Sequence, residues 1–198
     1  DSLTILSTEL ISAIYNGMNK NTSINLEMNN GKLIPTESMS QSSDIFIRNL
    51  YKIATDRRMV YLDVSTSHKY IDKNGNIKIA TFEYAPYDYN DTNDYECYRQ
   101  QDGIYPANNR PLGNHIVGNL GVTLVPDANA SKKSIDSNVY VIINALGNLN
   151  QRTVGIAHEF GHVLLFIAGK PYRHAEPGVD SYIYRSTSII AKRLGYDN

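Results

Sequence analysis

A helical pattern over residues 151–168 constrains the fold of this 198-residue chain more than any other segment. Apolar residues recur there at the spacing of one helix face, which predicts a helix packed against a core. Gly169 and Pro171 follow the pattern and predict its end. Gly161 costs about 1 kcal/mol relative to Ala inside a helix, which indicates close packing at that point. The apolar stripe consists of Val154, Ala157, Phe160, Gly161, Leu164, Leu165 and Ala168.

Two histidines and a glutamate stand within this predicted helix, as His158, Glu159 and His162. Residues four apart lie one above the other on a helix, so both imidazoles can reach one cation. Glu159 points to the side of that pair, where its carboxylate can take a proton from a metal-bound water without being a ligand. The HExxH spacing therefore predicts a zinc centre with Glu159 as general base. The alternative is a buried amphipathic helix whose two histidines are core residues.

A catalytic zinc ion needs a third protein ligand and keeps its fourth position for water. The candidates follow the helix and are His174, Glu176 and Asp180. From His162 to the helix end the chain rises roughly 9 Å at 1.5 Å per residue. The residues up to His174 span about 16 Å when extended, which is enough for the return. Ligand type and reach favour His174, and the other two candidates stay open.

The rest of the chain alternates predicted helices with predicted strands, which indicates one α+β domain over residues 1–198. Residues 74–75 are Asn-Gly and are expected to supply the positive φ angles of a tight hairpin turn. Residues 85–114 form a long predicted loop, and 19–41 and 129–138 are polar connectors. Helices are predicted at 3–18, 42–54 and 182–194, strands at 59–64, 118–126 and 139–144, and hairpin arms at 67–71 and 77–84 around the turn 72–76.

Composition excludes several classes of protein. The formal net charge of -1 supplies no basic field for nucleic acid, and no apolar run approaches the roughly 18 residues of a membrane span. The single cysteine, Cys97, excludes an internal disulfide framework and a cysteine-based zinc cluster. The chain starts with Asp and no signal-peptide pattern follows, which favours a mature product or the C-terminal domain of a larger polypeptide.

The run HEFGHVLLF resembles the HExxH helices of zincin metallopeptidases, and the order of predicted elements is similar to theirs. The resemblance implies a zincin-like α+β fold, in which a small mixed sheet packs on the backing helix 42–54 and on the HExxH helix. It assigns the antiparallel, substrate-binding edge strand to residues 118–126. It also disfavours His68 and His115 as ligands, since zinc histidines outside the helix lie downstream of it in these families.

The subfamily stays open. Leu165 and Ala168 stand where metzincins have Gly and His, which excludes that subclass. His174 lies at a distance similar to that of the third ligand of aspzincins, which is Asp in that group. A freestanding HExxH domain also resembles the peptidase toxin domains of bacterial RHS-type proteins and injected effectors, which implies a secreted or delivered protein.

The resemblance implies a zinc-dependent endopeptidase that hydrolyses peptide or protein substrates. The metal is then held by His158, His162 and His174, with Glu159 as the general base. A tyrosine or a histidine often donates a hydrogen bond to the developing oxyanion in such sites. The alternatives are a non-catalytic zincin-like binding domain and a regulatory peptidase that cuts one specific partner. The tyrosines near enough to the helix to be oxyanion donors are Tyr172, Tyr182 and Tyr184.

Overall fold

The computed structural model describes residues 26–83, 85–88, 116–117 and 120–194. In these ranges the chain is a mixed α+β structure with four helices and several small sheets. The helices are α1 (Glu37–Ser40), α2 (Ile45–Ala54), α3 (Leu149–Ile167) and α4 (Val179–Arg193). The strands are β1 (Glu27–Asn29), β2 (Lys32–Ile34), β3 (Val60–Ser65), β4 (Ser67–Asp72), β5 (Ile77–Thr81), β6 (Tyr87–Asp88), β7 (Ile116–Val117), β8 (Gly121–Leu124), β9 (Lys132–Lys133) and β10 (Val139–Asn144).

A three-stranded mixed sheet of order β3-β10-β8 carries the core. Strand β10 pairs parallel with β3, with Val139 opposite Val60, and antiparallel with β8, with Tyr140 opposite Leu124. Five of the six β10 residues are buried, as expected for an apolar strand between two neighbours. Strand β8 forms an edge of this sheet in the described part of the chain.

Helices α2 and α3 pack against this sheet through their apolar faces. Asp44 caps α2 by accepting a hydrogen bond of 3.0 Å from the Phe46 amide. Burial of large aliphatic side chains contributes about 1.5–3 kcal/mol each, so this shared cluster is the main stabilising contact between helices and sheet. The cluster includes Ile47 and Leu50 of α2, Val141 and Ile143 of β10, and Ile156 and Phe160 of α3.

Helix α3 begins with a capping box that satisfies two of its free amides. The Asn148 side chain accepts from the Gln151 amide at 2.9 Å, and the Gln151 side chain accepts from the Asn148 amide at 2.8 Å. Its other end is closed by Gly169 in the left-handed conformation, with φ at 70°. A Cβ on Gly161 would lie 2.6 Å from Ile183 Cδ1 of α4, so the close packing predicted at this glycine is confirmed.

Strands β4 and β5 form the predicted hairpin, and β9 pairs with β4 on its other side. The Asp72 carboxylate accepts from the Asn74 and Asn76 amides, each at 2.9 Å, and holds the turn. Gly75 alone in this turn has a positive φ, of 84°. The prediction of two positive φ angles was wrong at Asn74, because the side chain of Asp72 closes a turn that needs one left-handed residue.

Several element boundaries differ from the predicted ones. Helix α4 begins at Val179 rather than 182, because Gly178 (φ 81°) turns the chain directly into the helix. Strand β8 covers residues 121–124 of the predicted 118–126. Residues 19–41 were predicted as a polar connector, yet the hairpin β1–β2 and the short helix α1 lie within it. Asn30 and Gly31 make that hairpin turn with φ angles of 48° and 79°.

Some predictions fall outside the described residues, namely the helix at 3–18, Cys97, His115 and most of the loop 85–114. Within that loop the structure describes β6, which pairs antiparallel with β7. None of the helices in the described ranges is both long and apolar enough to cross a membrane.

Candidate metal centre

Three histidine side chains converge at the cleft side of helix α3. Residues His158 and His162 lie one turn apart on α3, and His174 reaches them from the loop that follows the helix. The His174 Nε2 atom lies 3.3 Å from Nε2 of His158 and 3.0 Å from Nε2 of His162. Nitrogen atoms bound to one zinc ion at 2.0–2.1 Å in a tetrahedron lie about 3.3 Å apart. The three histidines are therefore close enough, and suitably spaced, to hold one metal ion.

Two of these rings are oriented by hydrogen bonds through their other nitrogen atom. His162 Nδ1 lies 2.5 Å from the Tyr172 carbonyl oxygen, and His174 Nδ1 lies 2.8 Å from Asp180 Oδ1. Both oxygens only accept, so each Nδ1 carries a hydrogen, and in the neutral ring Nε2 is then the nitrogen with the free lone pair. Such outer contacts fix the tautomer and the ring direction that a metal ligand needs.

The third ring is oriented by helix α4. His158 Nδ1 lies 3.5 Å from the Thr187 hydroxyl, which donates to the Ile183 carbonyl oxygen at 2.7 Å. Because the Thr187 hydroxyl donates its hydrogen to Ile183, its oxygen can accept a hydrogen bond from His158 Nδ1. Helix α4 thus supplies contacts to two of the three rings, through Asp180 and Thr187.

Burial keeps the helix histidines neutral. Desolvation, together with the smaller effect of the neighbouring His162 and His174, lowers the pKa of His158 to about 3. Desolvation also lowers the pKa of His162, against the opposing hydrogen bond to Tyr172. A neutral imidazole is the form that binds a metal ion, so His158 and His162 do not need to lose protons near neutral pH.

Glu159 lies beside the histidines and is nearly inaccessible, with 4% of its surface exposed. Burial raises the pKa of Glu159 to about 7, and the hydrogen bond from Thr123 opposes that rise. A carboxyl group that titrates near neutrality can both take up and release a proton under working conditions. Its position and its pKa are those of a group able to move protons.

An open cleft of about 500 Å³ lies between strand β8 and the three histidines. Its walls are Leu120 with residues 121–123 of β8, the three histidines with Glu159, and the loop residues Tyr172 and Arg173. Thr123 and Arg173 were missed in the sequence. Gly121 and Thr123 are two residues apart on a strand, so they lie on the same face of it. This spacing was the available signal, but it points to Glu159 only once β8 is known to lie beside α3.

The other ligand candidates have different partners. Glu176 accepts from Arg173 Nε at 2.7 Å, and Asp180 contacts the outer nitrogen of His174. Among the described residues the three histidines are the only group of three with metal-ligand spacing. Of the histidines that were disfavoured, His68 lies on β4 and lines a different cavity, whereas His115 is outside the described ranges.

The tyrosines proposed as oxyanion donors are engaged or distant. Tyr172 lines the cleft, but its hydroxyl donates to Asp127 Oδ2 at 2.6 Å. Tyr182 packs in the apolar cluster of Leu165 and Ile183, and Tyr184 is 64% exposed. None of the three places a free hydroxyl in the cleft.

Comparison with models of known protein families, with characterised proteins and with solved structures gives no match to this chain. Its function is therefore inferred from the residues of the site.

Proposed function

We propose that this chain is a zincin-like zinc endopeptidase, with His158, His162 and His174 as metal ligands and Glu159 as general base. The observation that supports it most is the convergence of three Nε2 atoms next to a buried carboxylate, in an open cleft. The HExxH order within one helix is the pattern that joins these groups in peptidases.

The donor set favours zinc. Three neutral imidazoles that leave one tetrahedral position open are typical of catalytic zinc sites. Imidazole also suits copper, nickel and iron. However, blue-copper sites include a thiolate and non-haem iron sites a carboxylate, and neither is among the three converging donors here. When bound, zinc supplies a Lewis acid that polarises a carbonyl oxygen and lowers the pKa of water.

The protein's own groups have distinct tasks in this proposal. Glu159 accepts the proton of the attacking water and then delivers it to the leaving amine, for which a pKa near 7 is suitable. Strand β8 lies along the cleft at a sheet edge, so its backbone can pair with an extended peptide. Pairing of this kind holds the scissile bond close to the histidines.

The test is metal content together with cleavage of casein and of broad peptide libraries by wild type and Glu159→Gln. We expect one zinc per chain in both proteins, since Glu159 is not a ligand. Loss of a general base lowers kcat by about 10²–10⁴-fold. Zinc binding without any cleavage by wild type contradicts the proposal and favours a non-catalytic domain. A single cut confined to one protein partner indicates the regulatory peptidase instead.

A further inference from the structure

Strand β8 contacts the Glu159 carboxylate through a side chain. The Thr123 hydroxyl lies 2.5 Å from Glu159 Oε2 and 3.3 Å from the Glu159 carbonyl oxygen. In the described part of the chain it is the one side chain that hydrogen-bonds this carboxylate. A hydrogen bond from a hydroxyl to a buried carboxylate is short and stronger than a neutral pair.

The neighbouring position on the same strand face leaves room for Glu159. A Cβ on Gly121 would lie 3.2 Å from Glu159 Cγ and 2.6 Å from the Ile142 carbonyl oxygen. Strand β8 therefore borders Glu159 with a gap at residue 121 and a donor at residue 123. Gly121 leaves space for the Cγ of Glu159, and the Thr123 hydroxyl directs the carboxylate of Glu159.

We propose that Thr123 is a positioning residue, whose hydroxyl holds Oε2 of Glu159 and leaves Oε1 for proton transfer. This inference rests on the proposed peptidase function. Through Thr123, the general base Glu159 is held by strand β8, whose backbone lines the cleft. The same strand therefore positions both the base and the bound peptide. Misplacement of a reacting group by about 1 Å costs roughly 10²-fold in rate, so a hydrogen bond that fixes the base has a measurable effect.

The test compares Thr123→Val, which keeps the shape and removes the donor, with Thr123→Ser, which keeps the donor. The control is Thr153→Val, the same substitution at a buried threonine of α3 whose hydroxyl donates to the Leu149 carbonyl oxygen and not to Glu159; Thr123 itself is half-buried. We expect Thr123→Val to lower kcat by about 10–100-fold. Zinc affinity and KM of Thr123→Val are expected to stay at wild-type values. Thr123→Ser is expected to keep most of the wild-type kcat, and Thr153→Val all of it.

A second measurement does not depend on activity. Urea unfolding of the zinc-free protein is compared for Thr123→Val, Glu159→Ala and the double variant. If the two side chains interact, the destabilisation by Thr123→Val is at least halved when Glu159 is already Ala.

The outcomes separate the inference from the function on which it rests. Wild type that cleaves peptides, together with an unchanged kcat in Thr123→Val, overturns the positioning role alone. A loss of kcat that Thr123→Ser does not restore also overturns it, since the hydroxyl is then not the cause. Wild type that binds zinc and cleaves nothing overturns the proposed function. Additive destabilisation in urea overturns the contact itself, whatever the activity.

Discussion

The candidate metal centre and the cavity beside strand β4 both contain histidine and aspartate, but they organise them differently. In the candidate metal centre, the outer nitrogen of each ring faces an oxygen atom and the inner nitrogens converge. In the second region, His68 and Asp63 line a cavity of about 310 Å³. Both ring nitrogens of His68 and one oxygen of Asp63 are buried there without a hydrogen-bond partner among the described residues.

This difference shows that burial by itself does not make a site. Desolvation lowers the pKa of His68 as it lowers that of His158, so both rings are neutral near pH 7. Only His158 has its outer nitrogen near an acceptor and its inner nitrogen close to two other rings. The ring of His68 packs instead near Tyr70 and Phe82, with centroids 6.1 and 5.7 Å away. Convergence of ligand atoms is what distinguishes the two regions.

The largest effect that separates the regions is expected from removing the third ligand. His174→Ala is expected to weaken zinc binding by about 100-fold, because loss of a ligand exceeds the cost of losing its outer partner. His68→Ala is the matched control and is expected to keep wild-type zinc affinity. Competition with a chromogenic chelator measures both. Equal affinities in the two variants contradict the assignment of His174 and return Glu176 and Asp180 as candidates.

The pH dependence of unfolding of the zinc-free protein tests whether burial holds His158 neutral. The pKa of His158 is about 3 in the folded protein. It is about 6.5 in the unfolded chain, so below pH 6.5 the unfolded state takes up a proton that the folded state does not. Stability from this residue is therefore lost as pH falls, at up to about 1.4 kcal/mol per pH unit.

The measurement is the difference between wild type and His158→Gln in urea unfolding at pH 6.5 and at pH 5. The difference is needed because Glu159 and Asp63 act in the opposite direction: burial raises their pKa values, so their protonation favours the folded state as pH falls. We expect the variant to gain stability relative to wild type at pH 5. An equal response of both proteins to pH contradicts a buried, neutral His158.

A smaller effect is expected from the outer partner of His174. Asp180→Asn removes the charge from the oxygen that lies 2.8 Å from His174 Nδ1. Zinc affinity is expected to fall by about tenfold, the lower end for such contacts, because this pair is solvent-exposed. Asp136→Asn is the control, since Asp136 bonds Tyr140 and does not contact the site. A loss as large as that of His174→Ala indicates that Asp180 itself binds the metal.

The smallest effect concerns stability in the second region. His68→Phe keeps the aromatic contacts and removes two buried nitrogens that have no hydrogen-bond partner within the described ranges. Removing unpaired buried polar atoms is expected to stabilise the protein by about 1 kcal/mol, with zinc affinity unchanged. Urea unfolding measures the change. Destabilisation by this variant shows that His68 is hydrogen-bonded in solution. The ring nitrogens would then have partners in both regions, and this difference between them would disappear.

The elements that were predicted best from sequence are those whose signal is local. Strand β10 has the predicted ends, 139 and 144, because a short apolar run there is bounded by polar residues and turns. Helix α3 was predicted at 151–168 and observed at Leu149–Ile167, since helical periodicity and a closing glycine depend on near neighbours. His158, Glu159 and His162 share one helix, so their mutual geometry also followed from the sequence.

The sequence by itself determined the two helix histidines and the carboxylate between them, because a regular helix fixes the relative direction of residues four apart. Only the tertiary structure decided which side chain joins them. The return of the loop after Gly169 and the start of α4 at Val179 place His174 within 3.3 Å of both rings and Asp180 behind it. Likewise, Thr123 meets Glu159 because the sheet order sets β8 beside α3. Contacts between segments distant in sequence depend on the packing of whole elements, and no local pattern encodes them.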